Sequence, residues 1–193
     1  MFKYKDKKIR AFSFVEVMIS VFLVSIGLLA ALSLLSSGLS ELMSSRDQVT
    51  ASLLAQEGTE LVRNMRDANW TRGKSSFYSF PTYATGCVID YKFSPFSNLC
   101  PATRSADGAQ LRKNSDGFYE LSATGTTSTR FFRRIDLSLT VPRIIDSIVV
   151  WNGKTSDVFS DVTNPTTFAL IKSKCNAANK CAYAEDILSN WGE

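Results

Sequence analysis

The sequence predicts an α+β chain: one long N-terminal helix, apolar first and amphipathic after, packed against a small antiparallel sheet. Three observations predict it. Val17 to Ser40 is a run of 24 positions without a charge, more than the ~20 that a helix needs to cross the hydrocarbon core of a membrane. Leu42, Val49, Leu53, Leu54, Leu61, Val62 and Met65 then recur at spacings of three, four and seven, as one face of a helix does. Far downstream, Arg134, Asp136, Ser138 and Thr140 alternate with Ile135, Leu137, Leu139 and Val141, the period of a half-buried strand.

The chain opens on a basic run. Lys3, Lys5, Lys7, Lys8 and Arg10 stand against Asp6 alone, and such a run stays on the cytoplasmic side of a membrane. Ala11 follows, then Phe12-Ser13-Phe14-Val15-Glu16, then the apolar run. Glu16 is a carboxylate at the lip of a segment built for lipid. That position is costly, which marks it as a functional candidate with a partner. A cleaved secretory signal has a shorter apolar core than this. A plain signal anchor gives no reason for Phe12 and Glu16 at this spacing.

This order of residues resembles the class III signal of type IV pilins and of the pseudopilins of type II secretion. The resemblance implies cleavage between Ala11 and Phe12 by a prepilin peptidase and N-methylation of the new Phe12 terminus by the same enzyme. It implies that Glu16 answers the amine of a neighbouring subunit during assembly, so that each charge offsets part of the other's desolvation. The residue before the cut is usually Gly in that family, and here it is Ala11, which is also small. Many major pilins carry a proline partway down the apolar helix. None occurs between Ala11 and Phe80, which points toward a minor pilin or minor pseudopilin. The implied partners are other pilin or pseudopilin subunits in a helical filament and an inner-membrane assembly platform. The implied location is the inner membrane, single-pass, with the N-terminus cytoplasmic and the globular domain outside, and then an extracellular or periplasmic filament.

Charge and composition exclude several function classes. The leader holds five of the 22 basic and one of the 18 acidic residues, so the rest has 17 of each and is neutral. No global basic field remains to attract nucleic acid. The chain has no histidine, which removes His-based triads and the commonest metal ligand. No phosphate-binding or dinucleotide-binding fingerprint is present. The expectation is a non-enzyme without cofactor or metal. Asp107 and Asp116 have a spacing that fits no calcium loop.

The elements follow in order. Residues 1–11 are the leader. Residues 12–40 form the transmembrane or filament-core helix and 41–66 its amphipathic continuation; unbroken, such a helix is about 80 Å long. Residues 67–117 read as an irregular connection rich in aromatics, among them Phe77, Tyr78, Phe80, Tyr91 and Phe96. More often such aromatics pack a loop onto its domain than form an exposed binding surface. Residues 118–193 are expected to hold the sheet and a disulfide-tied C-terminal region. Phe118–Leu121 is a short strand, Arg130–Val141 a long one ended by Pro142, and Ile144–Trp151 its antiparallel partner. Asn152-Gly153 supplies a hairpin turn, and Thr167–Ile171 reads as a further strand. Ala182–Trp191 fits a short helix or an edge strand.

All four cysteines lie beyond the helix, in a compartment where disulfides persist. Of the three pairings that four cysteines allow, Cys87–Cys100 and Cys175–Cys181 each close a short loop and are favoured. A four-cysteine zinc site does not match these gaps, and buried free thiols are the remaining alternative. The tripeptide Asn69-Trp-Thr71 matches a glycosylation sequon, a pattern short enough to arise by chance.

Two functions therefore stand beside each other. One is a structural filament subunit. The other is a binding module at a filament tip, for adhesion or DNA uptake, acting through the aromatic connection at Phe77, Tyr78 and Phe80. A membrane-tethered enzyme has no supporting constellation.

Overall fold

In the computed structural model, residues 13–78, 80, 87–89, 91–92, 110–121, 126–138, 142–151, 173, 175–176 and 178–190 are described. Ala11, Phe12, Cys100, the Asn152-Gly153 turn and the Thr167–Ile171 strand lie outside them.

One helix, α1, runs unbroken from Phe14 to Thr71, 58 residues. Its first bond runs from Val17 N–H to the Ser13 carbonyl at 3.2 Å. It extends five residues past the expected end at Arg66. The stop is then sharp and has a local cause. Gly73 has φ +67°, Gly73 N–H donates to Trp70 O at 2.9 Å and Lys74 N–H to Asn69 O at 3.1 Å. These paired bonds close the helix end on a glycine in the left-handed region. Asn69 Nδ2 donates to Tyr78 O at 2.8 Å, and Asn69 is 1% exposed. The acceptor amide of the sequon is thus buried and engaged inside the fold.

The chain divides into two units, Met1–Ser45 and Arg46–Glu193. In the first, every described residue is exposed. In the second, α1 buries Ala51, Leu54, Ala55, Gly58, Thr59, Val62, Met65, Arg66 and Asn69. This departs from the expected stripe. Leu54, Val62 and Met65 are buried, but Leu42, Val49 and Leu53 are 66%, 60% and 60% exposed. Small side chains share the buried face, and at Gly58 α1 comes close to the sheet. A Cβ added at Gly58 would collide with Ser147 Oγ and lie 3.0 Å from Ser147 Cβ.

The sheet has five antiparallel strands in the order β2-β1-β3-β4-β5. They are β1 (Gln110–Lys113), β2 (Tyr119–Glu120), β3 (Thr127–Leu137), β4 (Arg143–Trp151) and β5 (Cys181–Leu188). Strand β1 lies inside the stretch expected to be irregular. Strand β3 starts three residues earlier than expected and ends at Leu137. It pairs with β4 as expected, with Ile135 opposite Ser147 and Leu137 opposite Ile145. The C-terminal segment is an edge strand rather than a helix.

Alternation along β3 and β4 divides the core. Val62 and Met65 of α1 meet Ile135, Leu137, Ile145 and Leu188. Ala51, Leu54 and Ala55 meet Leu111, Phe131, Val149 and Trp151. On the opposite sheet face, Ile148 and Val150 pack with Cys175 and Cys181.

Candidate functional site

The N-terminal half of α1 carries the residues that the sequence singles out. Ser13 precedes the helix, and Glu16 sits in its first turn. Free N–H groups there give the helix end a partial positive charge that suits an acid. Glu16 is exposed, and its carboxylate has no partner among the described residues; only its backbone carbonyl is engaged, accepting from Ser20 Oγ at 2.7 Å. Ser25 Oγ donates in the same way to Val21 O at 2.7 Å. These hydroxyls satisfy themselves on the backbone one turn earlier, so they do not stand as open donors in an apolar medium.

Around Glu16 the described surface is largely apolar, with Ser13 and Ser20 as its polar neighbours. Phe14, Val15, Val17, Met18 and Ile19 are exposed, and α1 is the described helix long and apolar enough to cross a membrane. A carboxylate without a partner among the described residues, set in a largely apolar collar at a helix start, can do one thing well. It can hold a cation brought to it from outside the chain.

The disulfide region is placed in part. Cys175 and Cys181 are bonded to each other. The loop they close is held by Cys181 N–H to Asn176 O at 3.1 Å and ends on Lys180 at φ +53°. Cys87 is itself disulfide-bonded, and its backbone bridges Ile135 through bonds of 2.6 and 2.8 Å. The expected partner Cys100 lies outside the described residues.

Of the three aromatics proposed as a binding surface, two face inward. Phe77 and Phe80 meet edge to face at 5.3 Å and pack against the core cluster around Val62. Tyr78 is 48% exposed, with Lys74 Nζ 4.4 Å above its ring. No group of acids and cysteines able to hold a metal occurs among the described residues.

Sequence reasoning missed the charged groups inside the second unit. Arg133 is fully buried between sheet and helix. It donates to Leu54 O at 3.2 Å and Ile89 O at 2.7 Å, and pairs with Glu57 at 3.2 Å. Arg63 bridges Glu60 and Asp186, and its hydrogen bond to Asp186 raises its pKa. Asp136 lies beside Arg134 at 2.8 Å, yet burial raises its pKa against that cation. Glu120 accepts from Tyr91 at 3.1 Å and pairs with Lys92; the Lys92 hydrogen bond lowers its pKa. The parity of Arg133 with Ile135 was the available signal.

Residues 6–32 match the family model described as the prokaryotic N-terminal methylation motif. No curated protein and no solved structure matches this chain.

Proposed function

Because the chain carries the class III signal of type IV pilins and pseudopilins on residues 6–32, we propose that it is a structural filament subunit. It is made as a precursor, cut after Ala11, methylated on Phe12 and assembled through the N-terminal half of α1. Glu16 takes the freed amine of a neighbouring copy. The apolar collar around it exchanges lipid for the same segment of other subunits. The basic leader keeps the N-terminus cytoplasmic, and the unit Arg46–Glu193 lies on the other side of the membrane.

The observation that carries this reading is the coincidence of the motif with a helix exposed along its whole apolar length. The tip-binding alternative draws no support from Phe77 and Phe80, which are occupied in the core.

The test has two arms in the host cells. Ala11→Lys is expected to leave the chain at precursor size, and mature-size product cut at that bond overturns the cleavage assignment. Glu16→Ala is expected to leave processing intact and to lower recovery in sheared filaments at least about tenfold, since an unanswered amine in an apolar layer costs more than ~1.4 kcal/mol. Undiminished recovery overturns the role given to Glu16.

A further inference from the structure

Arg143 opens β4, and among the described residues its charge is met by two aromatic rings but by no carboxylate. Its guanidinium lies 4.8 Å from the Phe77 ring centre and 5.8 Å from that of Phe80. Nη1 donates to Ser138 O at 3.5 Å, the outer limit of a hydrogen bond. Nε is buried and has no acceptor. No carboxylate pairs with Arg143 among the described residues, and burial lowers its pKa. A desolvated guanidinium without an anion is costly. Its planar fork matches a carboxylate.

One described acid of the same unit has an unengaged carboxylate. Asp116 is exposed on the turn between β1 and β2, and only its N–H is bonded, to Asn114 Oδ1 at 3.0 Å. Every other described acid in Arg46–Glu193 already has a partner. The turn that presents Asp116 is stiff. Asn114 Oδ1 also accepts from Phe118 N–H at 2.9 Å, and Gly117 supplies φ +93°.

The register keeps the two residues apart within one chain. Lys113 pairs with Thr127, so the Asp116 turn lies at the start of β3. Leu137 pairs with Ile145, so Arg143 lies past the other end of β3. The length of β3 between them is roughly 34 Å at about 3.4 Å per residue, far beyond the reach of a side chain. Whatever joins this acid to this base must join two molecules.

We propose that the Asp116 carboxylate of one copy seats on the Arg143 guanidinium of the next, linking copies head to tail. The contact is heterologous, using different patches on the two partners. Contacts of that kind run head to tail, into rings where the rotation closes and into open filaments where it does not. The Phe77 and Phe80 rings shield the cation from water, which strengthens the pair relative to one on an open surface. This inference rests on the filament-subunit reading above and names the part of the partner that it meets.

A charge swap in the full-length chain in its host cells tests it, read as the share of chain recovered with sheared filaments. Asp116→Arg and Arg143→Glu are each expected to lower that share at least about fivefold, roughly 1 kcal/mol, and the double variant to restore most of it. Single variants that match the wild type, or a double no better than the singles, overturn the pairing while leaving the filament reading intact. Should Arg143→Glu fail to accumulate, Asp116→Arg alone decides, since it alters an exposed turn; unchanged recovery overturns the proposal. Absence of the wild-type chain from filaments overturns both readings.

Discussion

The two halves of α1 share one backbone and solve opposite problems. From Phe14 to Leu39 the helix is rich in Leu, Ile, Val and Phe, and those side chains are exposed. From Ala51 onward it buries a stripe in which Ala51, Ala55 and Gly58 are prominent. Among the described residues the large apolar side chains of the first half are exposed, while the packed face of the second combines small residues with Leu54, Val62 and Met65. Apolar character therefore reports what a side chain needs and not whether this chain supplies it. In the first half the need is met by lipid or other subunits in the reading above. In the second it is met by a sheet that, at Gly58, is close enough to exclude a side chain.

If this contrast is right, the packed half is fragile at points where a buried group has specific partners. Arg133 is the strongest case. Arg133→Ala leaves the Leu54 and Ile89 carbonyls without their donor, and losing a buried charged donor costs about 3 kcal/mol. Arg130 is on the same strand, half-exposed and paired with Asp47 at 2.7 Å. Arg130→Ala is expected to cost less than about 1 kcal/mol. Urea denaturation of the full chain in detergent measures both. Equal losses would mean that burial does not separate these arginines.

Gly58 sharpens the same contrast within one residue type. Gly58→Val forces the helix away from Ser147 and is expected to cost about 2 kcal/mol by overpacking. Gly27 and Gly38 meet nothing within 4 Å. Gly38→Ala is expected to leave stability unchanged or to raise it by up to about 1 kcal/mol through helix propensity. Adding Ser147→Ala to Gly58→Ala removes the colliding oxygen, and the pair is expected to be more stable than Gly58→Ala alone. A loss at Gly38 as large as at Gly58 would break the distinction between the halves.

These positions also show where sequence reading stopped. The apolar run, the β3–β4 pair and the inward alternation of Ile135 and Leu137 were legible because each repeats at short range. Strand β1 was not, since Gln110-Leu-Arg-Lys113 has one buried apolar residue and three polar ones. Arg133 has inward parity, but its burial depends on carbonyls 44 and 79 residues away. Leu53 and Leu54 are adjacent apolar residues, and only helix phase against the sheet separates the exposed one from the buried one. At the site, Ala11, Phe12 and Glu16 stand out through a local motif. Arg143 and Asp116 do not, because their relation appears only when strand register puts them at opposite ends of one sheet.

The smallest expected effect concerns acid, and it sets two carboxylates of the packed half against each other. Lys92 and Tyr91 hold the Glu120 pKa below its ordinary value, which is about 4.3. A lowered folded pKa means stability that is present above the ordinary value and lost as pH falls through the folded one. Asp136 behaves in the opposite sense. Burial lifts its pKa above the ordinary ~3.9 despite Arg134, so its contribution is full at low pH and declines as pH rises through the lifted value. Stability of the full chain measured from pH 3 to pH 6 separates the two. Glu120→Gln is expected to flatten the loss toward acid, because the group responsible for part of it no longer titrates. Asp136→Asn is expected to steepen that loss, because a group that gained on acidification is gone. If both substitutions flatten the curve, burial does not outweigh Arg134 at Asp136, and the sheet face around it is wetter than its packing implies.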